Sequence, residues 1–140
     1  MKYVLFFSLF LSFNAFSQSV IGTWKTIDDE TGREKSIVEI YEENGKIYGK
    51  IIELLDKEDR GRKCSNCTGS DKDKPIIGMV VIRGLSKDGD EYNGGKILDP
   101  KSGKIYKCYL KLESKDKLIV RGYIGISLLG RSQKWIRIKR

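Results

Sequence analysis

From Ile21 to the C-terminus the sequence breaks into about eight short runs rich in Val, Ile, Tyr and Leu, each ended by Gly, Asp, Asn or Ser. No stretch between them keeps an apolar period long enough for a helix. The runs are Val20–Ile27, Lys35–Tyr41, Lys46–Leu54, Ile76–Leu85, Glu91–Leu98, Lys104–Ser114, Lys117–Ile124 and Ser132–Lys139. Side chains along a strand alternate between two faces, so an apolar alternate set has to be covered. In Lys35–Tyr41 that set is Ser36, Val38 and Ile40; in Lys104–Ser114 it is Tyr106, Cys108, Leu110 and Leu112; in Lys117–Ile124 it includes Leu118 and Val120. In the last run Ile136 and Ile138 stand opposite Trp135, Arg137 and Lys139. Asn44-Gly45 and Asp99-Pro100-Lys101-Ser102-Gly103 carry the residues that tight turns require. Hairpins that follow one another in this way close most simply as an up-and-down barrel, which removes exposed strand edges. The expected fold is all-β: a single antiparallel up-and-down barrel of about eight strands.

Ahead of the barrel, Val4–Phe13 is a short apolar run after Lys2, and Ala15 and Ser17 supply the small residues of a secretory cleavage site. The run is shorter than the ~20 residues a membrane-spanning helix needs. The expected organisation is a signal peptide over 1–17 and one β-barrel domain over 18–140. The product is then exported to the periplasm or the extracellular medium. Loss of Lys2 lowers the formal charge of +8 by one, and the remaining cations are spread among apolar residues rather than gathered in a block. Export argues against nucleic acid as a partner. Anionic ligands, and peripheral contact with the cell envelope, fit better.

The sequence contains no His, which removes the commonest general base and a favoured metal ligand. The carboxylates Asp28-Asp29-Glu30, Glu42-Glu43 and Asp88–Glu91 all fall in expected turns, where they are solvated. No catalytic residue, metal ligand set or cofactor is expected, and the chain reads as non-enzymatic. Leu55–Pro75 is the longest connection, with no periodic apolar face and with Cys64 and Cys67 near its middle. In an exported protein two thiols at this spacing are expected to form a disulfide that pins the loop. A thioredoxin-type centre would need the pair at the start of a helix on an α/β sheet. A zinc site would need two more soft ligands, and Cys108 points into the barrel.

Gly22-Thr23-Trp24 in the first strand, with Arg131, Trp135 and Arg137 near the last, allows a guanidinium to pack over the Trp24 ring; either Arg131 or Arg137 can fill that place. These stretches, with Ile47-Tyr48-Gly49-Lys50-Ile51, Pro75-Ile76-Ile77-Gly78, Gly94–Tyr106 and Gly122–Trp135, resemble a family of small exported bacterial proteins of unassigned function. Tyr92 stands where that family more often has Trp. The resemblance implies a lipocalin-like barrel and a non-catalytic binding role. The expected function is to hold a small, partly apolar or anionic ligand, with Trp24, Arg83, Tyr106, Tyr123, Arg131 and Trp135 as candidate binding residues. The alternative is a cell-envelope interaction module that grips an acidic polymer or protein through its basic surface.

Overall fold

The computed structural model describes residues 19–126 and 128–139; the expected signal peptide lies outside the described residues. Eight strands follow in order: β1 (Gly22–Ile27), β2 (Glu34–Glu43), β3 (Lys46–Leu54), β4 (Val80–Asp88), β5 (Glu91–Leu98), β6 (Ile105–Ser114), β7 (Lys117–Tyr123) and β8 (Gly130–Arg137). Each pairs antiparallel with its chain neighbours, and β8 returns to β1 to close the barrel. The expectation of Ile76–Leu85 as one strand is corrected. Its first four residues are loop, because Gly78 N–H and Met79 C=O bond to Ile51 and carry the chain across the end of β3 before β4 begins.

On three strands the inner face is the expected one: Ser36, Val38 and Ile40 on β2, Cys108 and Leu110 on β6, and Leu118 and Val120 on β7 are buried. On β8 the expectation that Ile136 and Ile138 form the covered set is corrected: Trp135 pairs with inward Leu118 and is buried, while Ile136 faces out. Ile82, Leu85, Cys108, Leu110 and Leu118 have no accessible surface at all, so no water-sized void touches them. The middle of the barrel is therefore filled by side chains.

The strand directions give the barrel two different ends. At the end where β1 starts, Ser19–Ile21 crosses the opening, with Val20 fully buried beneath it. Trp24 is also fully buried, and its indole N–H donates to Val20 C=O at 2.8 Å. The Arg137 guanidinium lies 4.3 Å from the Trp24 ring centre. Its N–H groups donate to the carbonyls of Lys115 (3.0 Å), Ile21 (3.0 Å) and Ser19 (2.7 Å). One planar cation thus ties the N-terminal segment, the β6–β7 turn and β8 together. Gly22 is required beside it: its φ is +144°, and a Cβ there would fall 2.7 Å from an Arg137 Nη atom. Of the two arginines considered for Trp24, Arg137 is the partner; Arg131 lies at the opposite end.

At the other end the long β3–β4 loop folds back over the barrel. Cys64 and Cys67 are joined in a disulfide, and both are buried with Leu54, Ile76, Met79 and Leu98 in the core cluster. The loop docks on the β5–β6 turn, where Asn66 Nδ2 donates to Lys101 C=O at 2.9 Å. Gly103 makes this approach possible: a Cβ on it would sit 1.8 Å from Asn66 O, and its φ is +74°.

Two outcomes follow from this packing. Arg137→Ala should lower unfolding stability by about 2 kcal/mol or more in urea, and Arg137→Lys should recover less than half of that, because a point charge cannot bond three carbonyls in one plane. Gly103→Ala should leave the far-UV circular dichroism of the barrel intact while exposing the 60–76 segment to limited proteolysis.

Candidate functional site

Alternation along β8 places Arg131, Gln133, Trp135 and Arg137 on the inner face, and the strand carries Arg131 and Arg137 to opposite ends of the barrel. At the end away from Trp24, Arg131 and Gln133 meet the β1–β2 turn. Asp28 builds that turn: its Oδ1 accepts from the backbone N–H of Glu30 (2.8 Å) and Thr31 (3.2 Å), and its carbonyl accepts from Gly32 N–H at 2.8 Å. The bond to Glu30 N–H is the leading cause that holds the Asp28 carboxyl below its usual range. The turn presents Asp29 to β8. Arg131 grips it with two parallel bonds, Nε to Oδ2 at 2.9 Å and Nη2 to Oδ1 at 2.7 Å, and reaches Glu30 at 3.1 Å.

This fork lowers the Asp29 pKa, with the Arg131 hydrogen bond as the largest cause, partial burial opposing it and Gln133 adding a smaller contribution. Gln133 Nε2 lies 3.4 Å from Asp29 Oδ1, and Gln133 Oε1 accepts from the Trp135 indole N–H at 3.0 Å. A polar chain therefore runs from buried Trp135 through Gln133 and Asp29 to Arg131, which is 61% exposed at the rim.

Beside this chain the wall is apolar. Gly122 on β7 lies in the inward phase set by Leu118 and Val120, and a Cβ there would meet Ile97 at 3.4 Å and Tyr106 at 3.5 Å. The missing side chain lets Ile97 and half-buried Tyr106 close in on the Gly122 backbone, leaving an apolar strip next to Arg131. Asp29, Gln133 and Gly122 were not singled out in the sequence. Gly122 and Gln133 carry an available signal, their phase on strands that also bear Val120 and Trp135. Asp29 carries none, because its partner is 102 positions away.

Of the six expected ligand residues, Tyr106, Arg131 and Trp135 come together at this rim. Trp24 is on the inner face at the other end, under Arg137. Tyr123 is on the outside, out of phase with Val120 and Gly122, with its ring 6.2 Å from that of Tyr109. Arg83 is also outside, one residue from buried Ile82. It donates to Val80 C=O at 2.9 Å and to Asp71 at 3.0 Å, on the wall of an open groove of about 460 Å³ shared with Lys74, Ile77 and Met79.

The two sulfurs of Cys64 and Cys67 are bonded to each other and sealed from solvent. The free thiol of Cys108 is buried, and desolvation pushes it up to about 12. No thiolate is thus available at neutral pH.

A closed eight-stranded meander, sealed at one end by a Trp–Arg pair and overlaid at the other by the disulfide loop, is the architecture of a lipocalin-like barrel. The chain belongs to the bacterial family described as "Uncharacterized protein conserved in bacteria (DUF2147)", which it matches over residues 22–137. Its fold is similar to that of a solved structure, protein HP1028 from the human pathogen Helicobacter pylori, described as belonging to the lipocalin family. The TM-score is 0.76 at 23% sequence identity, covering 86% of this chain and 84% of that one. No match is found among curated proteins.

A group whose folded pKa is depressed stabilises the fold above its unfolded pKa, and that contribution is lost as pH falls through the folded value. The Asp29–Arg131 contact should therefore be fully present above about pH 4 and fade below it. In Arg131→Gln the Asp29 carboxyl should titrate at a higher pH than in the wild type, which a carbon-detected NMR titration reads directly. An unchanged midpoint would show that the fork does not set the acidity of Asp29.

Proposed function

We propose that the protein is an exported, non-catalytic binding barrel that takes a small, partly apolar ligand at the rim around Arg131. The observation that carries this reading is the polar chain from Trp135 through Gln133 and Asp29 to exposed Arg131, standing beside the apolar strip of Gly122, Ile97 and Tyr106. Binding sites of this kind join apolar walls to a few fixed polar groups. The apolar part of the ligand lies against Tyr106 and Ile97. An anionic end replaces Asp29 on Arg131, whose bidentate fork fits a carboxylate or phosphate equally well. The filled middle of the barrel limits the ligand to the rim rather than a deep cavity. The buried disulfide and the apolar leader support export.

The alternative, an acidic polymer held on a diffuse basic surface, draws less support from the side chains. Many flank cations are already engaged with carboxylates, among them Lys25 with Glu34, Lys111 with Asp90 and Lys134 with Glu113.

The test is to incubate the purified protein with a bacterial envelope extract, wash it, and identify retained molecules by mass spectrometry. The wild type should retain an amphiphile with an acidic group, and Arg131→Glu should retain about tenfold less of it, the equivalent of one lost charge-assisted contact. Retention of nothing by the wild type, or equal retention by both proteins, would overturn the reading.

A further inference from the structure

The β7–β8 connection departs from the other turns of the barrel. Ile124, Ile126, Leu128 and Leu129 are 65%, 60%, 82% and 66% exposed, in a chain whose other large apolar side chains are mostly covered. Isolated exposed aliphatics need no explanation, but four on one projecting loop form a patch. Ile105, 47% exposed, extends it at the base, since β6 pairs Lys107 with Tyr123 and Ile105 lies two residues further along toward the loop. The loop has internal backbone bonds, from Ile124 N–H to Leu129 C=O and from Leu129 N–H to Ile126 C=O, both 3.0 Å. Its tip can therefore enter an apolar medium with part of its backbone already satisfied.

The surroundings of the patch state what covers it. Lys101, Lys104 and Lys107 stand exposed along the entry to β6, and none of them has an ion-pair partner among the described residues; Lys107 Nζ lies 3.4 Å from Gly125 C=O. On the outer face behind them, Tyr109 and Tyr123 pack ring to ring. Protein interfaces are depleted in Lys. A convex aliphatic tip framed by lysines and tyrosines has instead the chemistry of a lipid surface, with aliphatics among the acyl chains, tyrosines at headgroup level and ammonium groups on the phosphates.

We propose that the β7–β8 loop inserts Ile126, Leu128 and Leu129 into an anionic lipid surface, with Lys101, Lys104 and Lys107 held on its phosphates. Such contact sets this rim of the barrel against the bilayer. It does not depend on which ligand the rim holds, or on whether it holds one.

The test is co-sedimentation with phosphatidylglycerol vesicles and with phosphatidylcholine vesicles. It uses the chain from Gln18 onward, which carries the whole barrel because closure is complete within Gly22–Arg137. The wild type should bind the anionic vesicles and bind the zwitterionic ones at least about tenfold more weakly, with affinity falling as salt rises. Leu128→Asp and Leu129→Asp should each weaken binding about tenfold or more, the equivalent of withholding one leucine from lipid, with no change in thermal midpoint. Changing the three lysines to Gln should abolish the preference for anionic lipid. A Leu128→Trp variant should be quenched by brominated lipid. Absence of wild-type binding, equal binding by the Asp variants, or no quenching at position 128 would overturn the proposal. A dimer in analytical ultracentrifugation that Leu128→Asp dissociates, without vesicle binding, would assign the patch to a second copy of the chain instead.

Discussion

The barrel depends on its seam. Between β1 and β8 the ladder pairs only Trp24 with Arg137 and Lys25 with Ile136, whereas β2 and β3 match along nearly their whole lengths. So short a ladder holds a cylinder closed only weakly by its own hydrogen bonds. The Arg137 guanidinium makes up the difference. Lying on the Trp24 ring and bonded to three carbonyls, two in the N-terminal segment and one in the β6–β7 turn, it fastens the last strand to both at one point. Ile138 N–H adds one more bond to Thr23 C=O beyond the last strand.

Arg131 and Arg137 share a strand and a face, yet their surroundings give them different work. Arg137 is 18% exposed and engaged by carbonyls that cannot leave. Arg131 is 61% exposed and engaged by a carboxylate on a turn. An exposed ion pair contributes little to stability, so the fork on Asp29 is open to exchange in a way the Arg137 contacts are not. One end of the barrel is held by a cation bonded to the backbone, the other by an exposed ion pair.

Much of the fold was legible in the sequence. Lys46–Leu54 and Glu91–Leu98 are strands with the expected bounds, and the alternation of Tyr106, Cys108, Leu110 and Leu112 named the inner face of β6, because a period of two has only one reading once one face must be dry. Parity also explains one misplaced residue: Tyr123 has the chemistry of a site but the wrong phase, an odd number of steps from Val120, and so faces outward. Arg83 lies on β4, where both parities carry buried side chains and the register slips against β3, so alternation alone does not place it; its bonds to Val80 C=O and Asp71 do. The choice between Arg131 and Arg137 for Trp24 was open to residue chemistry alone, yet direction resolves it. In a meander with an even number of strands, the last strand ends beside the start of the first, which is where Trp24 lies. Asp29 was not legible, since nothing near it in the chain announces a partner on β8. The run Ile76–Met79 resembled a strand because it is apolar. Its backbone bonds to β3 from within a loop, and composition does not encode that.

All strand pairings but one join elements adjacent in the chain, linked by short turns or by the single long loop. Each of those hairpins can form from its own segment at small entropic cost, whereas the seam must bring together positions at the two extremes of the domain. Growth of the sheet is therefore expected to proceed as an open, curling ribbon with two bare edges until β8 is available. During that interval β1, with few partners of its own, is the strand most exposed to pairing with another molecule. The Arg137 contacts then bear on the lifetime of this vulnerable ribbon as well as on the stability of the finished cylinder.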